Sequence, residues 1–209
     1  MAKINVVTPD GTQVTEPGSG DPVILGSYNI WTNADADNDG NNANNWLLGH
    51  VPTAAEIAYF TDATFGGSED DCTLSGSLSC YGIDIRPEYG GAFDPNGQDI
   101  TTVADFLIAL GDHIVDGADV WNGSTVVVGG RFSAVGASDN LVNLRASTGW
   151  TLTVTGRCTA SYATVAGCDA SGGTRLTATD STEGAGNTDV VFLESQLSDA
   201  PISLVVGIA

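Results

Sequence analysis

The sequence is poor in basic residues. Six Lys and Arg stand against 26 Asp and Glu in 209 residues, and the formal net charge is −20. Such a chain is repelled by phosphate backbones, which argues against nucleic-acid binding. It also has no polybasic cluster for an anionic membrane surface. The acidic composition favours solubility and partners with basic patches. The six bases are Lys3, Arg86, Arg131, Arg145, Arg157 and Arg175.

Long apolar runs and a sustained helical period are also lacking. No stretch approaches the roughly 20 apolar residues that span a bilayer, and the first residues lack the apolar core of a signal peptide, so we expect synthesis in the cytoplasm without export. Short pieces rich in Val, Ile, Leu and Thr alternate with clusters of Gly, Asn, Asp and Ser. The 27 glycines suit a chain that turns every few residues. These features predict an all-β protein, either a β-solenoid or an antiparallel β-sandwich or jelly roll.

The four cysteines lack metal-site spacing. They form two loose pairs separated by eight and ten residues, whereas zinc sites use closer pairs. We expect them to be small, buried strand residues, since a disulfide is unexpected in a reducing compartment. His50 and His113 lie far from them in sequence and are expected to satisfy local hydrogen bonds. The cysteines are Cys72, Cys80, Cys158 and Cys168.

Catalytic signatures are weak throughout the sequence. The chain has no nucleophile-elbow spacing and no phosphate-binding glycine loop. Glycosidases use two carboxylates at a defined separation. Because this chain has 26 acidic residues, some pair will meet that separation by chance, so such a pair would not indicate glycosidase activity. The four tryptophans offer a candidate sugar-stacking face, but core positions are more typical of them. We therefore expect no catalytic residues and no bound cofactor, with calcium as the one candidate ion.

The calcium candidate is the Asp-rich stretch at residues 35–41. Its acids at alternate positions, followed by Gly40, match the first half of an EF-hand loop. The match fails at the twelfth position, where Trp46 replaces the bidentate glutamate, so an Asp/Asn-rich insertion is the alternative. Asp70 and Asp71 can contribute to calcium binding only if folding brings them near residues 35–41. The candidate ligands are Asp35, Asp37 and Asp39.

One segment of the sequence resembles a known protein family. It begins at Asn45-Trp46, passes through Gly49 and Val51-Pro52, and ends with Glu56 and the apolar run 57–60. It resembles the first segment of right-handed parallel β-helix surface and structural proteins of phages and bacteria. Later pieces between residues 80 and 192 resemble strands and turns of the same family. The resemblance implies a β-solenoid over residues 28–192, with the Trp46 indole covering its N-terminal end. We expect an extended arm, 1–27, before it and an apolar C-terminal segment, 193–209, after it.

The resemblance, together with the absence of an export signal, favours a non-catalytic structural protein of a tailed-phage virion. The expected role is that of a capsid decoration (cement) protein at the virion surface, bound to the major capsid protein or other virion proteins. A homo-oligomer is expected, with a trimer favoured, and its contacts are expected at the two chain ends. The alternatives are a tail-fibre or receptor-binding component recognising surface polysaccharide, or a module of a secreted β-helical adhesin or polysaccharide-active enzyme.

Overall fold

A computed structural model describes residues 6–7, 13–14, 27–109 and 120–194. These residues form 18 β-strands and two short 3-10 helices, Ala43–Asn45 and Ala63–Phe65, and contain no α-helix. No helix among them is long and apolar enough to cross a membrane. The strands are β1 Val6–Val7, β2 Gln13–Val14, β3 Ser27–Ile30, β4 Glu56–Phe60, β5 Cys72–Thr73, β6 Leu78–Cys80, β7 Gly82–Ile85, β8 Phe93–Asp94, β9 Ile100–Thr102, β10 Phe106–Ile108, β11 Thr125–Val128, β12 Phe132–Val135, β13 Val142–Val154, β14 Cys158–Ser161, β15 Ala163–Asp169, β16 Leu176–Thr179, β17 Thr182–Glu183 and β18 Val190–Leu193.

From β3 onward the strands are divided between two larger parallel sheets and one small one. The eight-stranded sheet has the order β3-β4-β7-β10-β12-β14-β16-β18, and the six-stranded sheet has the order β6-β9-β11-β13-β15-β17. A third, two-stranded sheet pairs β5 with β8 in parallel, and β1 pairs antiparallel with β2. From β9 to β18 the chain alternates between the two larger sheets. The predicted all-β class is confirmed, and the antiparallel sandwich is wrong because these sheets are parallel.

Each return of the chain to the eight-stranded sheet places a new strand in register with the previous one. Ile83, Phe106, Phe132 and Cys158 are successive partners across four neighbouring strands, so the circuits that join them are of similar length. The pairing of Thr159 with Thr177, and then of Leu176 with Val190, makes the last two circuits progressively shorter. The unequal circuits explain why the sequence shows no fixed repeat period.

Strand sequences alternate between buried and partly exposed residues. In β12, β14 and β16 a buried apolar residue or Ala alternates with an outward Ser, Thr or Val, as expected for a sheet that covers a core on one face. The inward residues are large in the earlier circuits: the Phe106 and Phe132 rings lie 5.5 Å apart. Smaller buried residues lie on β14 and β16, at Cys158, Ala160 and Ala178.

The chain segment around Trp46 lies along β3, the outermost strand of the eight-stranded sheet. The backbone N–H of Leu47 donates to the Ile30 carbonyl (2.9 Å). The buried Trp46 indole donates to the Gly40 carbonyl (2.9 Å) and packs edge-on against Trp31, 5.3 Å between ring centroids. The segment therefore occupies hydrogen-bonding groups that an edge strand otherwise exposes. Trp46 is buried, and its predicted place over the N-terminal end of a β-solenoid stays a prediction.

Gly167 is required by a bulge between β13 and β15. The register shifts between Arg145 and Trp150, and Gly167 faces the extra residues with a φ of +66°. A Cβ there would lie 2.4 Å from the Ala146 carbonyl oxygen.

Gly167→Ala is therefore expected to destabilise the protein by about 2–4 kcal/mol, combining left-handed strain with overpacking. Urea denaturation followed by circular dichroism measures this. Gly49→Ala is the matched control: Gly49 also has a positive φ (+71°) but nothing lies within 4 Å of its added Cβ, so only the strain of about 1–2 kcal/mol is expected. Equal losses in the two variants would contradict the steric explanation.

The predicted chain ends lie largely outside the described residues. Of the arm, residues 1–27, only β1, β2 and Ser27 are described, and of the C-terminal segment, residues 193–209, only 193 and 194 are. The predicted boundaries of the arm, the 28–192 domain and the C-terminal segment stay predictions.

Candidate functional site

The acidic loop, residues 32–45, holds its carboxylates against asparagine amides. The Asn42 side chain donates to Asp35 Oδ2 (3.0 Å) and to Asp37 Oδ2 (2.7 Å), and Asn44 donates to Asp35 Oδ2 (2.8 Å). The Asp39 N–H and the Asn42 and Asn45 amides lower the pKa of Asp37. The first two candidate calcium ligands therefore share neutral donors within the loop.

The third candidate ligand, Asp39, is turned to a neighbouring segment. Its Oδ1 accepts from the Ser75 hydroxyl (2.7 Å) and from the Asn41 N–H (2.9 Å). Asp70 does come near the loop, where its Oδ2 accepts from the Asn33 amide (3.1 Å), whereas Asp71 accepts from the Ala92 N–H (2.9 Å). No group of three or more His, Cys, Asp or Glu within the described residues is placed to hold a metal ion. Calcium binding by Asp35, Asp37 and Asp39 stays a prediction, and an ion would have to replace the asparagine donors.

The His50–Glu56 pair closes the turn that leads into β4. His50 Nε2 lies 2.9 Å from Glu56 Oε1, and the Thr53 N–H donates to Glu56 Oε2 (2.9 Å). Burial acts to raise the pKa of Glu56, but the hydrogen bonds from His50 and Thr53 outweigh it and the pKa is lowered. The hydrogen bond to Glu56 raises the pKa of His50. His50 thus makes the local hydrogen bonds expected of it, while His113 lies outside the described residues.

The pair is expected to make stability depend on pH. Glu56 contributes above its ordinary pKa of 4.5 and loses that contribution as pH falls through its lowered folded value, whereas His50 contributes fully below 6.5 and loses its contribution as pH rises through its raised folded value. Thermal melts of the wild type and His50→Gln should differ most between pH 4.5 and 6.5. The difference should shrink at pH 8.5, about two units above the ordinary value of histidine. A difference that does not change with pH would contradict an ionic contribution from His50.

All four cysteines are buried strand residues with free thiols. Burial raises the pKa of Cys80 and of Cys158 to about 12, and it also raises those of Cys72 and Cys168. Thiols with such pKa values are poor nucleophiles and poor metal ligands at neutral pH. The prediction that the cysteines are small core residues is confirmed.

The four tryptophans are buried, so the idea of a tryptophan sugar-stacking face is wrong. Trp150 lies in β13, whereas Trp121 lies in a turn before β11 and donates its indole N–H to the Asn143 carbonyl (3.0 Å). Tyr28 and Tyr59 are partly exposed aromatic residues in contact, with ring centroids 4.7 Å apart. These tyrosines lie on the outer face of the eight-stranded sheet.

Three arginines line up on the same outer face, and we call them the arginine row: Arg131, Arg157 and Arg175. Each immediately precedes a strand, β12, β14 or β16, and these strands are neighbours in register. The Phe132 N–H, for example, donates to the Arg157 carbonyl (2.9 Å). Neighbouring strands lie about 4.8 Å apart, so the three side chains begin one strand spacing from each other.

An aspartate stands at each end of the arginine row. Asp105 precedes β10 and accepts from Arg131 Nε (2.8 Å), and Asp189 precedes β18 and accepts from Arg175 Nε (2.7 Å). Arg157, in the middle, is exposed and forms no ion pair with any described residue. The middle guanidinium is thus the group of the row without an acidic partner in the described part of the chain.

Hydroxyl groups accompany the arginine row. Ser133, Thr159 and Thr177 follow the arginines by two residues, are paired in register and are partly exposed. Residues two apart on a strand point to the same face. The outer face therefore presents a row of guanidinium groups beside a row of hydroxyls.

The sequence contains a signal for this row that composition alone does not reveal. Arg-apolar-Ser/Thr-Ala occurs three times, as RFSA at 131–134, RCTA at 157–160 and RLTA at 175–178, with an apolar residue or Cys in the second position. The second interval between copies is shorter than the first, so a search for one fixed period does not find them. The six bases look spread along the sequence, but half of them are gathered in one row.

Comparisons of the chain with protein-family models, with curated proteins and with solved structures gave no match. The described part of the chain is all-β with parallel sheets and carries the arginine row on an outer face, and the whole sequence is acidic.

Proposed function

We propose that the chain is a right-handed β-solenoid that serves as a non-catalytic structural protein on the surface of a tailed-phage virion, as a capsid decoration (cement) protein. The observation that carries the solenoid is the regular alternation of the chain between two parallel sheets, each new strand in register with the last. Right-handedness is expected because nearly all parallel crossover connections have that hand.

A structural role suits this architecture. In a solenoid each circuit contacts its neighbours through a continuous set of backbone hydrogen bonds, which makes a stiff body whose ends and faces are free for attachment. The resemblance of the Trp46 segment to phage and bacterial β-helix proteins directs the proposal to a particle surface.

Attachment is proposed at the ends of the chain. β18 pairs only with β16, and no described residue pairs with its other edge. Leu193, its last residue, is 49% exposed. An edge of this kind accepts a further strand from another chain. The proposed partners are the major capsid protein or another virion protein, and further copies of this chain, with a trimer favoured.

Mass spectrometry and quantitative electrophoresis of purified particles test this function. A decoration protein is expected in the particle at a copy number on the order of hundreds, set by the symmetry of the shell. A handful of copies at the tail would favour the receptor-binding alternative. Absence from the particle, with activity of the purified chain on a polysaccharide, would overturn the proposal.

Truncation then tests the site of attachment. Particles that lack the protein are mixed with the full chain, with residues 26–209 or with residues 1–200. Loss of binding in either truncated chain, with an unchanged circular dichroism spectrum, is expected. Full binding by both would place attachment on a face of the sheets.

A further inference from the structure

The arginine row concentrates the scarce positive charge of this chain. Three of its six bases stand next to one another on one face, while 26 acids are distributed over the whole sequence. Asp105 and Asp189 pair with Arg131 and Arg175, whereas Arg157 has no acidic partner among the described residues. A single unpaired guanidinium suits a ligand with one negative charge.

The geometry of the row favours a carboxylate as that charged group. A guanidinium is planar and binds a carboxylate through two parallel N–H donors. Arg131 and Arg175 use Nε for Asp105 and Asp189, which precede the strands on the far sides of the row from Arg157. The guanidinium of Arg157 is therefore the one in the row with both faces of its donor fork open to a carboxylate.

The hydroxyl row defines the rest of the ligand. Ser133, Thr159 and Thr177 lie about 7 Å along the strands from the arginines on the same face. Hydroxyl side chains both donate and accept hydrogen bonds, as the hydroxyls of a sugar ring do. A ring with a carboxylate at one end and hydroxyls along the other matches the two rows.

We propose that the arginine row and the adjacent hydroxyl row form a binding site for an acidic sugar, a glycan unit bearing one carboxylate. Arg157 binds the carboxylate, and Ser133, Thr159 and Thr177 contact the ring hydroxyls. Densely charged polyanions such as nucleic acids are disfavoured as ligands. They would extend past the arginine row, and the rest of this chain, whose net charge is −20, would repel them. The site goes beyond the structural function proposed above and does not depend on it.

Titrations of the full chain with matched ligands test the site. Methyl glucuronide and methyl glucoside differ by the carboxylate, and acetate supplies the carboxylate without the ring. Nitrogen-15 NMR at low salt, which includes the arginine Nε–H signals, is expected to show saturable shifts with the glucuronide at the Arg157 side chain. Glucoside and acetate are expected to bind at least about ten-fold more weakly, since each lacks one set of hydrogen bonds.

Two variants separate the site from general charge effects. Arg157→Gln is expected to weaken glucuronide binding about ten-fold or more. Arg145→Gln removes the same charge from the exposed face of β13, in the other sheet, and is expected to leave binding unchanged. Thermal melts check that both variants fold.

Three results would overturn the proposal. One is equal binding of glucuronide and glucoside, and another is binding that Arg157→Gln and Arg145→Gln reduce equally. The third is absence of glucuronide binding together with a change of oligomeric state in Arg157→Gln, measured by sedimentation. That last result would assign the row to a contact between protein chains, and it would leave the proposed attachment to a particle untouched.

Discussion

Phe60→Ala is expected to destabilise the protein by about 3–5 kcal/mol, near the upper end for a single core truncation. Phe60 is fully buried at the end of β4 and stands at the centre of an aromatic cluster. Alanine would leave a cavity that several large rings line and that none of them fills without moving. The rings within 6.3 Å of Phe60, centroid to centroid, are those of Trp31, Trp46, Tyr89 and Phe93.

Phe65→Ala provides the matched control for Phe60→Ala. Phe65 is 47% exposed in a short 3-10 helix, so its truncation is expected to cost less than about 1 kcal/mol. Urea denaturation followed by tryptophan fluorescence and by circular dichroism measures both losses. Comparable losses in the two variants would show that the aromatic cluster is not the core of this end of the protein.

Trp46→Ala is expected to cost a similar amount, about 3–5 kcal/mol, for two separable reasons. The indole packs against Trp31 and Phe60, and its N–H satisfies the buried Gly40 carbonyl. Trp46→Phe retains most of the packing and removes the donor. It is therefore expected to cost about 1–3 kcal/mol, the penalty of an unsatisfied buried polar group.

Leu47→Ala is the control for Trp46, because Leu47 is adjacent and 57% exposed. Its truncation should change the urea midpoint little. If Trp46→Ala were no more destabilising than Leu47→Ala, the Trp46 segment would not protect the outer edge of β3, and the significance of the family resemblance would be weakened. Hydrogen exchange at the Leu47 amide, which bonds to the Ile30 carbonyl, reports on that edge directly.

The local properties of the chain could be predicted from the sequence. Alternation of apolar residues with Ser and Thr, as in RFSAV and RCTAS, predicts short strands with one buried face. Frequent Gly and Asn predict the turns between them. Burial of the four cysteines followed from their positions within such strands. The local hydrogen bond expected of His50 was predicted without its partner, which is Glu56, six residues away.

The calcium candidate shows where a local motif is insufficient. The alternation of Asp35, Asp37 and Asp39 is visible in the sequence, but the partners of these side chains are not. Asn42 and Asn45 fold back on the first two acids, and Ser75, from a segment 36 residues away, takes the third. A motif specifies which ligand atoms are available, whereas the competing donors are set by the fold.

The arginine row was decided by the tertiary structure. Arg131, Arg157 and Arg175 are separated by unequal stretches of sequence, and they become neighbours only because each circuit of the chain, whatever its length, returns in register to the eight-stranded sheet. Backbone hydrogen bonds and the inward row of Phe132, Cys158 and Leu176 set that register. By itself the sequence determined the strand character, the turns and the acidic charge, because these depend on residues near one another. Which strands pair, and which side chains meet on a face, depends on contacts between distant residues, and only the folded chain decides those.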